Sequence, residues 1–137
     1  MASSIPNFLS FDDGLLPKWL FLIASVSSIY TVQSYISLRG AREVYAAPTT
    51  MITPLSARTF GTWTALSSVV RLYAAFNIHN RAVYELAMWT FAIAILHFGS
   101  EYVYFRTARL SRGLASPMVV ASSSLVWMLA QQEWYVR

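Results

Sequence analysis

The sequence predicts an all-α membrane protein, a bundle of four transmembrane helices, and three observations carry that reading. Of its 137 residues, 56% are hydrophobic and 12% charged, about half the charged share of an ordinary soluble domain, and the mean hydropathy is +0.47. Four stretches of mainly apolar residues follow one another, each near the roughly 20 residues that a helix needs to cross a bilayer core about 30 Å thick. The short segments between them hold most of the arginines and two of the five prolines.

The first span is expected over about residues 16–38, starting at Pro17 and Lys18 with Trp19 as an interfacial anchor, and closed by Arg39 and Arg42. Pro48 and Pro54 make Ala46 to Ser56 an irregular connection, because proline removes a backbone donor and restricts the residue before it. The second span is expected over about 57–78 and the third over about 82–105, with only the polar turn Asn77 to Arg81 between them. So short a turn makes these two an antiparallel hairpin. After the basic loop Arg106 to Arg112, the fourth span is expected over about 114–132, with Pro117 in its first turn, where proline is tolerated. No repeat or internal boundary interrupts this plan, so 1–137 reads as a single tetra-spanning domain.

Composition excludes several function classes. The formal charge of +4 comes from arginines placed where apolar segments stop, which is the flanking bias of membrane proteins and not a nucleic-acid patch. Cysteine is absent, so there is neither a disulfide framework nor a thiolate nucleophile. His79 and His97 are too few for a histidine-rich di-iron site, and no metal or cofactor is expected. Met1 to Gly14 lack the basic start of a secretory signal, so the first apolar segment is expected to persist. The positive-inside rule puts the loops after spans one and three in the cytosol and both termini in the lumen.

Ionisable groups at membrane depth are costly and need partners, which directs attention to Arg71, Glu85, His97 and Glu101. His97 and Glu101 stand four apart on one helix face, a spacing that suits proton transfer and equally suits neutralising a neighbouring helix. If the hairpin turns near residues 79–80, Arg58 falls level with Glu101, and Arg71 near Met88 and one turn from Glu85. Structural pairing is the reading those levels favour, with a small proton-transferring enzyme as the alternative. Gly61 with Ala65, and Ala24 with Ser28, are small-xxx-small pairs that let helix backbones approach closely. The aromatic residues read as interfacial anchors and packing groups, with a sterol or lipid groove as the lesser reading.

The string LSARTFGTWTALSSVVR from Leu55 to Arg71, with LHFGSE at Leu96 to Glu101, resembles the ergosterol biosynthetic protein twenty-eight family. LPKWL at Leu16 to Leu20, TVQSYIS at Thr31 to Ser37, FRT at Phe105 to Thr107 and SLVWM at Ser124 to Met128 resemble its fungal members. The resemblance implies a non-catalytic scaffold of the endoplasmic reticulum membrane, tethering the sterol C4-demethylation enzymes. These are the C4-methyl sterol oxidase, the C3-sterol dehydrogenase/decarboxylase and the 3-keto sterol reductase, with the sterol C24-methyltransferase in fungi. The family pattern falls on Arg58, Thr59, Gly61, Trp63, Arg71, His97 and Glu101, among others, and these with Glu85 are the structural or partner-binding candidates. Membrane lipid is an expected partner; binding of a sterol and self-association are left open. Some members end in a lysine-rich tail resembling a cytosolic retrieval signal, which opposes lumenal termini, whereas this chain ends Glu133-Trp134-Tyr135-Val136-Arg137, and sidedness is left open with them.

Overall fold

The computed structural model describes residues 14–37, 53–106 and 112–136, with side chains from residue 115 onward in the last segment. Four α-helices occupy them: α1, Leu16–Ile36; α2, Pro54–Phe76; α3, Arg81–Val103; and α4, Arg112–Tyr135. No strand occurs among the described residues.

Side-chain caps supply missing partners of the first turn in α2 and α3, and α1 begins with proline and no side-chain cap. Pro17 sits in the first turn of α1, where a missing N–H removes no hydrogen bond. The start of α2 corrects the sequence expectation, since Pro54 opens the helix instead of prolonging an irregular connection to Ser56. Thr53 caps it: its hydroxyl accepts from the Ser56 N–H at 3.1 Å, and the Ser56 hydroxyl accepts from the Thr53 N–H at 2.9 Å. This is a reciprocal cap with proline at the first helical position. The rest of that connection, residues 46–52, lies outside the described residues. Asn80 caps α3 by accepting from the Val83 N–H at 3.2 Å. Because α4 begins at Arg112, Pro117 lies inside it and not in its first turn, leaving the carbonyl of residue 113 without its usual donor.

Successive helices run antiparallel. Thr31 meets Thr64, Tyr35 meets Thr62 and Phe21 meets Phe76, so α1 and α2 pass in opposite directions. Phe60 and Trp63 of α2 meet Phe98 and His97 of α3 in the same sense. Tyr84 near the start of α3 donates to the Met128 carbonyl late in α4, and Trp19 at the start of α1 donates to the Ser124 hydroxyl at 2.8 Å. The result is an up-down-up-down bundle in which the residues before α1 and the end of α4 are neighbours, Gly14 lying against Tyr135.

The tightest approach is between α1 and α2. A Cβ built on Gly61 would stand 2.8 Å from the Ser34 Cβ and 3.3 Å from the Thr31 carbonyl. Ala57, Gly61 and Ser68 are buried and share, at helical spacing, the face that brings Gly61 and Thr64 to α1, and Ala24 and Ser34 are the buried small residues of α1. Deeper in the bundle, Leu16, Leu20, Tyr84, Phe91 and Met128 are fully enclosed.

Two helices, α1 and α3, are both long and apolar enough to cross a bilayer. The apolar part of α4, Ala115–Ala130, is shorter. In α2 the hydroxyls of Thr59, Thr62 and Ser68 donate to carbonyls four residues earlier, which lowers their cost in apolar surroundings while leaving the helix less hydrophobic by composition.

Candidate functional site, a cavity between the helices

All four helices contribute to a cavity of about 230 Å³. Trp19, Ile23 and Ser27 line it from α1; Phe60, Trp63, Ser67 and Arg71 from α2; Phe91, Ala94 and Phe98 from α3; Pro117 and Ala121 from α4. The exposed Leu22 and Val26 also line it, so it opens sideways along α1. Proline and small residues on α4 leave the room that larger side chains would fill.

Arg71 is the one charged residue among those that line it. Its side chain is 8% exposed. Nε donates to the Thr90 hydroxyl at 3.1 Å, and the guanidinium carbon lies 4.2 Å from the centre of the Phe91 ring. Thr90 in turn donates to the Ala87 carbonyl at 2.6 Å, which orients its oxygen as an acceptor for Arg71. A cation over an aromatic face, with one neutral hydroxyl, is a partial substitute for a counter-anion.

The hairpin arithmetic therefore gave the level of Arg71 closely, but the partner differs from the expected one. Glu85 faces α4, in a groove with Met88, Trp89, Leu125, Leu129 and Gln132, about 120–140° around α3 from Thr90 and Phe91 at 100° per residue. Arg58 also faces away from α3: it is exposed and lies about 140–160° around α2 from Phe60 and Trp63. Among the described residues no ion pair joins Arg58 to Glu101. Thr59 is exposed, with its hydroxyl turned back to the Leu55 carbonyl at 2.9 Å.

His97 is half-buried and packs edge-on to Trp63, ring centres 5.1 Å apart and planes at 76°. Trp63 also meets Phe60 and Phe98 at 5.6 and 5.8 Å. Glu101 follows one turn later on the His97 face and is half-buried. Neither is among the residues that line the cavity. No group of three or more potential metal ligands occurs among the described residues.

Sequence reasoning passed over several fixed points. Thr90 was hidden because partners for Arg71 were sought among carboxylates; a hydroxyl at the same level was the available signal. Nδ1 of His79 in the hairpin turn donates to the Tyr135 carbonyl at 2.8 Å, tying the turn to the end of α4. No spacing rule foretells that contact.

Fold and site together define a small all-helical protein with long apolar helices, whose interior polar groups bond helix to helix around a mainly apolar cavity. The chain belongs to the family described as Erg28 like protein, whose pattern matches residues 16–126. It is 48% identical over 125 residues to the ergosterol biosynthetic protein 28 of Candida albicans, covering 91% of each chain. The protein of the same name from Saccharomyces cerevisiae is 46% identical over 89% of this chain and 83% of its own. The Homo sapiens homolog is 38% identical over 84% and 83%. No solved structure matches the chain.

Proposed function

We propose that this protein is a non-catalytic scaffold of ergosterol biosynthesis, a four-span protein of the endoplasmic reticulum membrane that holds sterol C4-demethylation enzymes together. The observation that carries this reading is the near full-length match to relatives named for ergosterol biosynthesis. The partners it would gather are the C4-methyl sterol oxidase, the C3-sterol dehydrogenase/decarboxylase, the 3-keto sterol reductase and the sterol C24-methyltransferase.

Geometry supports the reading in two ways. The polar links Thr31 to Thr64, Arg71 to Thr90, Trp19 to Ser124 and Tyr84 to Met128 join neighbouring helices into one body, as a rigid holder requires. Outward, the helices present large apolar side chains such as Ile29, Val32, Leu66, Trp89, Leu96 and Val126, surfaces for lipid and for the spans of other proteins. Tethering enzymes that pass on poorly soluble intermediates raises their effective concentration and so increases flux without new chemistry.

The test is purification of the full chain in mild detergent from cells making sterol. The scaffold reading expects the C4-demethylation enzymes to co-purify and the isolated chain to convert no sterol intermediate. Turnover by the chain alone, lost in His97→Gln, would establish the enzyme alternative instead.

A further inference from the structure

We propose that the cavity between the four helices binds an amphipathic membrane molecule with a carboxylate or phosphate oxyanion on a single apolar body. The oxyanion would sit on Arg71 and the apolar part would lie toward Phe60 and Phe98. This inference rests on the chain being embedded in a membrane and is independent of the scaffold role.

The polar anchor of the cavity is the Arg71 guanidinium. It carries five N–H donors and stays charged in proteins. Only Nε has an acceptor among the described residues, the Thr90 hydroxyl. No enclosed side-chain nitrogen or oxygen lacks a partner among those residues, so the remaining donors of this 92% buried side chain open on the cavity that it lines. A buried cation without a counter-charge is costly in an apolar medium. Glu85, the acidic residue nearest in level, faces α4. The cavity thus presents a fork of donors with the geometry that carboxylate and phosphate oxygens accept in pairs.

Shape supplies the rest. Along α2 the cavity runs from Phe60 to Arg71, about 16 Å at 1.5 Å per residue. One end holds the Arg71 cation over Phe91, and the other is formed by the Phe60 and Phe98 rings with no charge. At about 230 Å³ it lies below the ~300–1,000 Å³ of ordinary ligand pockets, so it holds a small ring system or the carboxyl-proximal part of one chain, whose remainder passes out beside Leu22 and Val26, and a two-chain lipid does not fit. Exposed Leu22 and Val26 at its side provide entry from the lipid phase.

Trp19 and Trp63 line the cavity and report occupancy by fluorescence. Purified full chain in neutral detergent is titrated with 9,10-dibromostearate, its methyl ester and a dibrominated two-chain phosphatidate. The expected result is saturable quenching by the acid, about tenfold or more weaker with the ester, and weak with phosphatidate. Arg71→Gln should bring acid and ester to equal affinity, and Arg71→Lys should keep part of the difference. Should Arg71→Gln fail to fold, Ala121→Leu fills the cavity with the arginine retained and should abolish saturation. Equal quenching by acid and ester in the wild type would overturn the oxyanion site. Stronger quenching by phosphatidate would overturn the single-chain assignment, and unchanged quenching in Ala121→Leu would overturn the location.

Discussion

At the scale of single residues, two glycines make opposite predictions. A Cβ at Gly61 would press on the Ser34 Cβ at 2.8 Å, and that atom is fixed to the backbone, so α1 itself must move. Gly61→Ala should therefore lower stability by about 1–3 kcal/mol, and Ser34→Gly in the same chain should return part of the loss. Gly99 has nothing within 4 Å of its added Cβ, and Gly99→Ala should be neutral or stabilising by up to about 1 kcal/mol through helix propensity. Thermal unfolding in one detergent compares all three. His97 makes a further prediction: with its ring edge-on to Trp63, His97→Gln should leave sterol flux in cells intact, whereas a flux collapse with partners still bound would assign it proton transfer. Side-chain height was legible in the sequence, because a short hairpin fixes which residues lie level. Direction was not, because level says nothing of angle around the axis. Arg58→Gln and Glu101→Gln should accordingly give additive effects, within about 0.5 kcal/mol, where a buried ion pair would give strong coupling.

At the scale of elements, the helices were legible from apolar length and the α2–α3 hairpin from its short turn. Their ends were less so. Pro54 was read as a breaker, although proline is equally a first-turn residue, and Thr53 followed three residues later by Ser56 was the signal for a cap. Thr53→Ala removes one half of that reciprocal pair and should cost about 1 kcal/mol. It should also speed amide exchange at Ser56 and Ala57 without altering the middle of α2. Thr53→Ser should behave as wild type. Equal protection in Thr53→Ala would mean that Pro54 alone holds the start. The small-residue face of α2 was legible in Gly61, but its partner on α1 proved to be Ser34 with Thr31, since pairing between separate helices depends on a register that a long connection does not fix.

At the scale of the whole molecule, the cavity was out of reach of the sequence, because a void belongs to four helices at once and no single one encodes it. Membrane crossing is the remaining question of that scale. By length and apolarity α1 and α3 can each span a bilayer, while α2 carries Arg71 and many hydroxyls and α4 has a shorter apolar stretch. Yet α2 is antiparallel to α1 along its length, from Phe76 beside Phe21 to Thr62 beside Tyr35, and the hydroxyls of Thr59, Thr62, Thr64 and Ser68 bond within the helix or to α1. Under the proposed four-span arrangement a helix held so closely to α1 crosses with it, with Thr64, Ser68 and Arg71 turned to protein and the exposed Arg58, Thr59 and Thr62 in its first half. The chain has no cysteine, so single cysteines introduced at Ala2, Ala46, Ala82 and Ala108 report sidedness with a membrane-impermeant maleimide in sealed microsomes. Four crossings predict that Ala2→Cys and Ala82→Cys label from one side, and Ala46→Cys and Ala108→Cys from the other. If α1 and α3 alone crossed, Ala46→Cys and Ala82→Cys would label from the same side, and α2 would have to lie along the interface, away from the α1 partners that its hydroxyls now hold.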